Sequence, residues 1–138
     1  MPANTVAITP RVPKSYAISA TTAQTDLTGV TATNIVTLMT AAATGVPPAD
    51  GQGAILQDFR VRIPATCVAA TVAIFKKVGG TRFLIYTLLV PATTVSNTVA
   101  PYDSGKIALN EFVAPGDTID VLTNVTQATH VTGNGGEY

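Results

Sequence analysis

The sequence predicts an all-β fold: a β-sandwich, in first place a jelly roll of about eight strands in two packed sheets. Three observations predict it. Threonine occurs 23 times and valine 16 times in 138 residues, and both suit a pleated, half-buried surface. No stretch sustains a 3.6-residue apolar stripe, so almost nothing reads as helix. Short apolar runs alternate with Gly, Pro, Asn and Asp turns at spacings of about 8–12 residues, the pattern of a sandwich or barrel. An immunoglobulin-like sandwich is the alternative, but the chain has no Trp and no cysteine pair.

The chain divides into an N-terminal arm or set of edge strands over residues 1–32 and a sandwich domain over 33–138. Pro2, Pro10 and Pro13 interrupt the first part, and proline confines a run to a sheet edge or an arm. Asn4–Thr9 and Ser15–Ala20 are its short edge-strand candidates. Thr33–Thr40 is the first strand of the domain. A turn-rich loop from Pro47 to Gly53 follows it, and Met39–Ala43 offers the one stretch with any helical character. Ala54–Ile63 is the clearest strand. Phe59, Val61 and Ile63 point one way and Asp58, Arg60 and Arg62 the other, as in a sheet with one wet face.

Cys67–Lys77 comes next and turns at Val78-Gly79-Gly80-Thr81, where two glycines accept the positive φ of a tight hairpin. The return strand, Thr81–Val90, is apolar on both faces. Phe83, Ile85 and Leu89 lie on one, and Leu84, Tyr86, Leu88 and Val90 on the other. Such a strand is either sandwiched centrally or part of a subunit interface. Thr93–Ala100, Lys106–Asn110, Thr118–Thr123 and Val125–Val131 complete the set. Ala114-Pro115-Gly116-Asp117 fits a type II turn, and Gly133–Gly136 begins a loose end.

Eight basic and eight acidic side chains cancel, which gives no long-range pull toward nucleic acid or an anionic membrane. Charged residues make up 12% of the chain, about half the usual share of roughly 25%. A surface so poor in charge is weakly protected against association and reads as one meant to be covered. The opening Met1-Pro2-Ala3-Asn4-Thr5 has no basic or apolar signal region, so the chain reads as a soluble protein made without a secretory signal. Its longest apolar run is too short to span a bilayer.

The residues that carry chemistry are few. His130 is the sole histidine and Cys67 the sole cysteine, so neither a multi-histidine site nor a zinc set can form. No Ser sits in a G-x-S-x-G elbow. Asp117 follows Pro-Gly as a turn cap, and Asp120 alternates outward from Ile119 and Val121 as a surface group. No enzyme activity, cofactor or metal is expected. Arg60, Arg62, Lys76, Lys77 and Arg82 fall on neighbouring strands, but no stacking aromatics interleave with them, so they read as a solvated face or as ion-pair partners of another subunit rather than a nucleic-acid patch. The candidate partner-interface residues are Pro10, Arg11 and Pro13 in the arm, Arg60 and Arg62 on the clearest strand, and Leu84, Tyr86 and Leu88 on the two-faced one.

Taken in order, Val36–Ala41, Gly53–Val61, Ala73-Ile74-Phe75-Lys76-Lys77 with its Gly-Gly turn, Phe83–Tyr86 running into Val90–Thr94, Ile107–Leu109, Pro115–Val121 and the ending Gly135-Gly136-Glu137-Tyr138 form a recognisable layout. It resembles the small virion proteins of tailed bacteriophages that act as head decoration or cement proteins. The resemblance spans Val36 to Tyr138 and supplies no catalytic residues. It implies a jelly-roll-like sandwich that sits on the outside of the capsid and stabilises the major capsid protein, in a virion made in the bacterial host cytoplasm; closed symmetry, the default for such subunits, adds the expectation of a homodimer or homotrimer. The alternative is a phage tail or fibre module, or a carbohydrate- or receptor-binding sandwich. Tyr102, in a loop, is then the one obvious aromatic for sugar stacking.

Overall fold

The computed structural model describes residues 12–24, 34–43 and 52–138. Every regular element among them is a strand. In chain order they are β1 (Val12–Ala20), β2 (Val36–Thr40), β3 (Ala54–Ile63), β4 (Ala70–Val78), β5 (Thr81–Val90), β6 (Tyr102–Asp103), β7 (Ile107–Val113), β8 (Thr118–Thr123) and β9 (Thr129–Glu137). One sheet has the order β1-β9-β3, with β6 and β7 both pairing the far edge of β3, and the other has the order β2-β8-β4-β5. All these pairings are antiparallel.

With β6 and β7 taken as one interrupted strand, the connectivity is that of a single long hairpin rolled up. The β4–β5 hairpin is its tip. Moving outward from it, β3 pairs β7, β2 pairs β8 and β1 pairs β9, and these pairs fall alternately in the two sheets. That is a jelly roll of eight strands. The alternative immunoglobulin arrangement would have the first two strands share a sheet, whereas the first two described strands, β1 and β2, lie in different sheets.

The tip forms because Gly79 and Gly80 take φ of 56° and 87°, as a two-residue turn between Val78 and Thr81 requires. The Ala114–Asp117 turn closes through the Asp117 amide to the Ala114 carbonyl at 3.0 Å, with Gly116 at φ 83°. Between the sheets, Leu56, Phe59, Val61 and Ile63 of β3 meet Val72 and Ile74 of β4 and Ile119 and Val121 of β8, all essentially buried. Ala73, Phe75 and Leu122, with Ile35, make a second small cluster on the far face of the β4–β8 pair.

Two strand expectations are corrected. Thr93–Ala100 forms no strand. Only Thr93 makes a bridge, to Cys67, and the chain then turns through Ser96. The Gly133–Gly136 segment is no loose end but the middle of β9, which lies between β1 and β3. The glycines are there for clearance. β3 carries an extra residue, Gln57, in its pairing with β9, and the bulge pushes its backbone toward the neighbour. A Cβ on Gly135 would sit 1.9 Å from the Ile55 carbonyl oxygen, and one on Gly133 would sit 2.8 Å from Leu56 Cδ1. Met39 belongs to β2, and Ala41–Ala43 follow it without forming helix.

Candidate functional site

Arg60, Arg62 and Leu84, among the sequence-predicted residues, fall on two surfaces. The outer face of the β1-β9-β3 sheet is polar and internally paired. Arg60 and Arg62 leave β3 on this face and share Asp103 of β6, at 3.5 Å and 2.9 Å from their Nε atoms. The Gly105 amide donates to Asp103 at 2.8 Å. That amide first, and the two guanidinium groups after it, hold the Asp103 carboxyl below the usual carboxylate range. Nearby, Asp58 accepts from Asn134 Nδ2 at 3.0 Å and faces Lys106 Nζ at 3.3 Å. Arg60, Lys106, Thr132 and Asn134 line a shallow depression of about 170 Å³ around Asp58. A second, of about 330 Å³, lies between Arg62, Pro101, Tyr102 and His130. His130 is exposed on β9, opposite Arg62. No cluster of three or more His, Cys, Asp or Glu side chains suited to a metal occurs among the described residues.

The second surface is the β5 edge. β5 is not central; it is the last strand of its sheet. Its expected face assignment also changes. Ile74 pairs Tyr86 while Phe75 pairs Leu84, so Ile85 is an extra residue and the alternation resets across it. Tyr86 and Leu88 turn inward with Val90. Tyr86 sets its ring edge-on to Phe59 at 5.3 Å, and Leu88 packs on the core. Leu84 turns outward and is 55% exposed, on the same face as Leu89 at 73%. The bulge thus places Leu84 at the surface and Tyr86 and Leu88 against the core. Leu89 joins Leu84 there, while Phe83, opposite Lys76, is on the inner side yet 54% exposed. The two-faced apolar run signalled such a surface, but which residues compose it depends on the bulge. Pro13 is exposed on β1, at the other side of the sandwich, and Pro10 and Arg11 lie outside the described residues.

Both aspartates near the β8 turn are structural. Asp117 accepts from the Gly79 amide at 3.4 Å and ties the turn to the β4–β5 tip. Asp120 does point away from the main core, yet it is buried. Arg82 Nε meets it at 2.9 Å, and the Thr118 and Thr37 hydroxyls donate to it at 2.9 Å and 3.1 Å. Glu137 is likewise buried and is held by Lys14 Nζ at 2.9 Å and the Ala42 amide at 3.2 Å. Beside it the Tyr16 hydroxyl has no hydrogen-bond partner among the described residues. Burial, and then the Glu137 charge, push its pKa up to about 12.

No protein-family model matches the chain, and no curated protein matches it. Among solved structures, the chain is similar to the infectious bursal disease virus VP2 subviral particle, with 15% identity and a TM-score of 0.32, over 91% of this chain and 33% of that one. The structure of the Gx strain of that virus gives 15%, 0.32, 91% and 31% in the same order. The T13 particle of the virus gives 16%, 0.31, 91% and 30%. The chain spans about a third of the length of those chains. The fold assignment rests on the strand connectivity.

Proposed function

We propose that this chain is a structural virion protein that binds the outside of a phage capsid and cements the shell of major capsid protein. The observation that carries the proposal is the β5 edge, where Phe83, Leu84 and Leu89 stand exposed along a strand whose outer side no described strand pairs, in a chain only 12% charged. An exposed apolar edge strand is a pairing and aggregation hazard in a free monomer, and permanent interfaces are the more hydrophobic ones. The layout of segments from Val36 to Tyr138, which resembles head decoration proteins, supports the choice of a capsid as the assembly. On an icosahedral lattice many modest contacts sum, so each copy needs only moderate affinity. The paired charges on the outer face of the β1-β9-β3 sheet use up its fixed cations and anions, so this face offers orientation rather than strong attraction.

The test is binding of the purified protein to phage heads that lack it, followed by electron microscopy of the decorated particles. Regular density of this size across the capsid lattice is the expected result. Removal of residues 1–11, which precede β1, is expected to weaken that binding, as an arm reaching the shell would require. Density confined to the tail tip, or none on particles at all, overturns the capsid reading and makes glycan binding the next assay.

A further inference from the structure

We infer that β5 is a dimerisation strand. Two copies of this chain add their β5 edges to each other, antiparallel, about a two-fold axis lying between Ile85 and Tyr86. The inference rests on reading the β5 edge as an interface and names its occupant as a second copy.

The four sheet edges differ in how they are defended. β1 carries Pro13, and its exposed positions include Ser15 and Ser19. β2 has only 5 residues. The β6–β7 edge is interrupted and carries Asn110 at a positive φ of 52°. Proline, shortness and irregularity are the ordinary means of blunting an edge. β5 has neither proline nor shortness, and its one irregularity is the bulge at Ile85. The strand runs 10 residues, and no described strand pairs with its outer side.

The arrangement of faces along β5 is palindromic. Its pairing with β4 places Arg82, Leu84, Thr87 and Leu89 on the outer face, opposite Lys77, Phe75, Ala73 and Thr71. Thr81, Phe83, Tyr86, Leu88 and Val90 take the inner face, and the extra residue Ile85 packs against the core as well. Reversed about the point between Ile85 and Tyr86, the pattern maps onto itself. Arg82 then meets the second copy's Leu89, and Leu84 meets its Thr87, on the outer face. Phe83 meets Leu88 and Thr81 meets Val90 on the inner face. This is the one antiparallel self-pairing that uses the whole strand with every side chain on the matching face, because a slip across the bulge sets an outward residue against an inward one. Electrostatics permits it. Arg82 is the only charged residue in β5, is held by Asp120, and faces an apolar residue across the axis. A two-fold contact of this kind closes on itself, since each copy has one such edge and uses it.

The experiment is the mass of the purified full chain in solution, without phage heads, by light scattering on a sizing column. A dimer is expected, and the variant Leu84→Lys/Leu89→Lys is expected to run as a monomer with unchanged strand signal and a cooperative melt. In a Cys67→Ala background, Leu84→Cys/Thr87→Cys is expected to give a covalent dimer on mild oxidation. A wild-type monomer, a trimer, or a dimer that the lysine variant retains overturns the inference. A dimer in which the cysteine pair fails to cross-link overturns the strand-to-strand register and the inference with it. A monomer that still coats heads overturns this inference and leaves the capsid reading standing. A dimer that ignores heads supports this inference and removes the capsid reading.

Discussion

Gly135 and Gly133 occupy neighbouring outlooks on the same bulge, and the atoms they face set different costs. Alanine at 135 drives a methyl into the Ile55 carbonyl, which is backbone and cannot swing away. Alanine at 133 meets the end of the Leu56 side chain, which can turn, although the Asp58 carbonyl follows at 3.1 Å. Gly135→Ala is therefore expected to lose at least about 3 kcal/mol, the upper end for forced overpacking, and Gly133→Ala about 1 kcal/mol. Urea midpoints of the two variants check the order. The buried Asp120 makes a second case. Arg82→Ala leaves that carboxylate with only hydroxyl donors from Thr37 and Thr118 among its side-chain partners described here, and is expected to cost about 3 kcal/mol, the low end for a broken buried pair. Arg82→Lys, which keeps the charge, is expected to recover part of that midpoint shift. Tyr16 makes a prediction in pH. Its folded pKa of about 12 exceeds the ordinary 10.0, so between those values the folded state keeps a proton that the unfolded state has released. Stability then falls as pH rises through that window. Tyr16→Phe is expected to remove this alkaline loss and, by deleting a buried hydroxyl with no described partner, to cost nothing at neutral pH. Thermal melts of both proteins across the alkaline range decide it.

At the level of the strand, periodicity and turn chemistry made β3, β5 and β8 legible to the residue. β3 alternates and ends at Pro64, β5 lies between Gly-Gly and Pro91, and β8 follows a Pro-Gly turn. The start of β9 falls within the expected Val125–Val131 strand, but its continuation was hidden because its glycines read as punctuation when their purpose is clearance against a bulge in another strand. Thr93–Ala100 misled in the opposite sense. Its β-branched residues have strand propensity, but only Thr93 finds a partner, and propensity without a ladder does not make a strand. The interface candidates show the same limit. Arg60 and Arg62 were legible as outward by simple alternation. Leu84 could not be separated from Tyr86 and Leu88, because the bulge at Ile85 is a property of the pairing with β4 and not of β5 alone. The buried position of Asp120 was invisible for a related reason, as its partner Arg82 comes from a strand two places away in the sheet. The position of β9 carries its own prediction. Deleting residues 133–138 removes most of a central strand, so the shortened chain is expected to be insoluble or unfolded by circular dichroism. Trimming a loose tail would leave the melt unchanged.

For the molecule as a whole, the rolled hairpin makes its outermost pair from the two strands most distant in sequence. Folding must close that long loop before β1 and β9 gain anything from each other, which places the protein among the slow, non-local folders. The same closure sets Val12 opposite Glu137, side by side on adjacent strands. From Val12 to Glu137 the path is thus nearly a ring in space. A circular permutant that joins Tyr138 to Val12 through a short linker and opens the Gly79–Gly80 tip would keep every sheet pairing while the hairpin turn becomes the new pair of termini. Such a molecule would carry its free ends beside β5, where any fused cargo would stand next to the exposed edge.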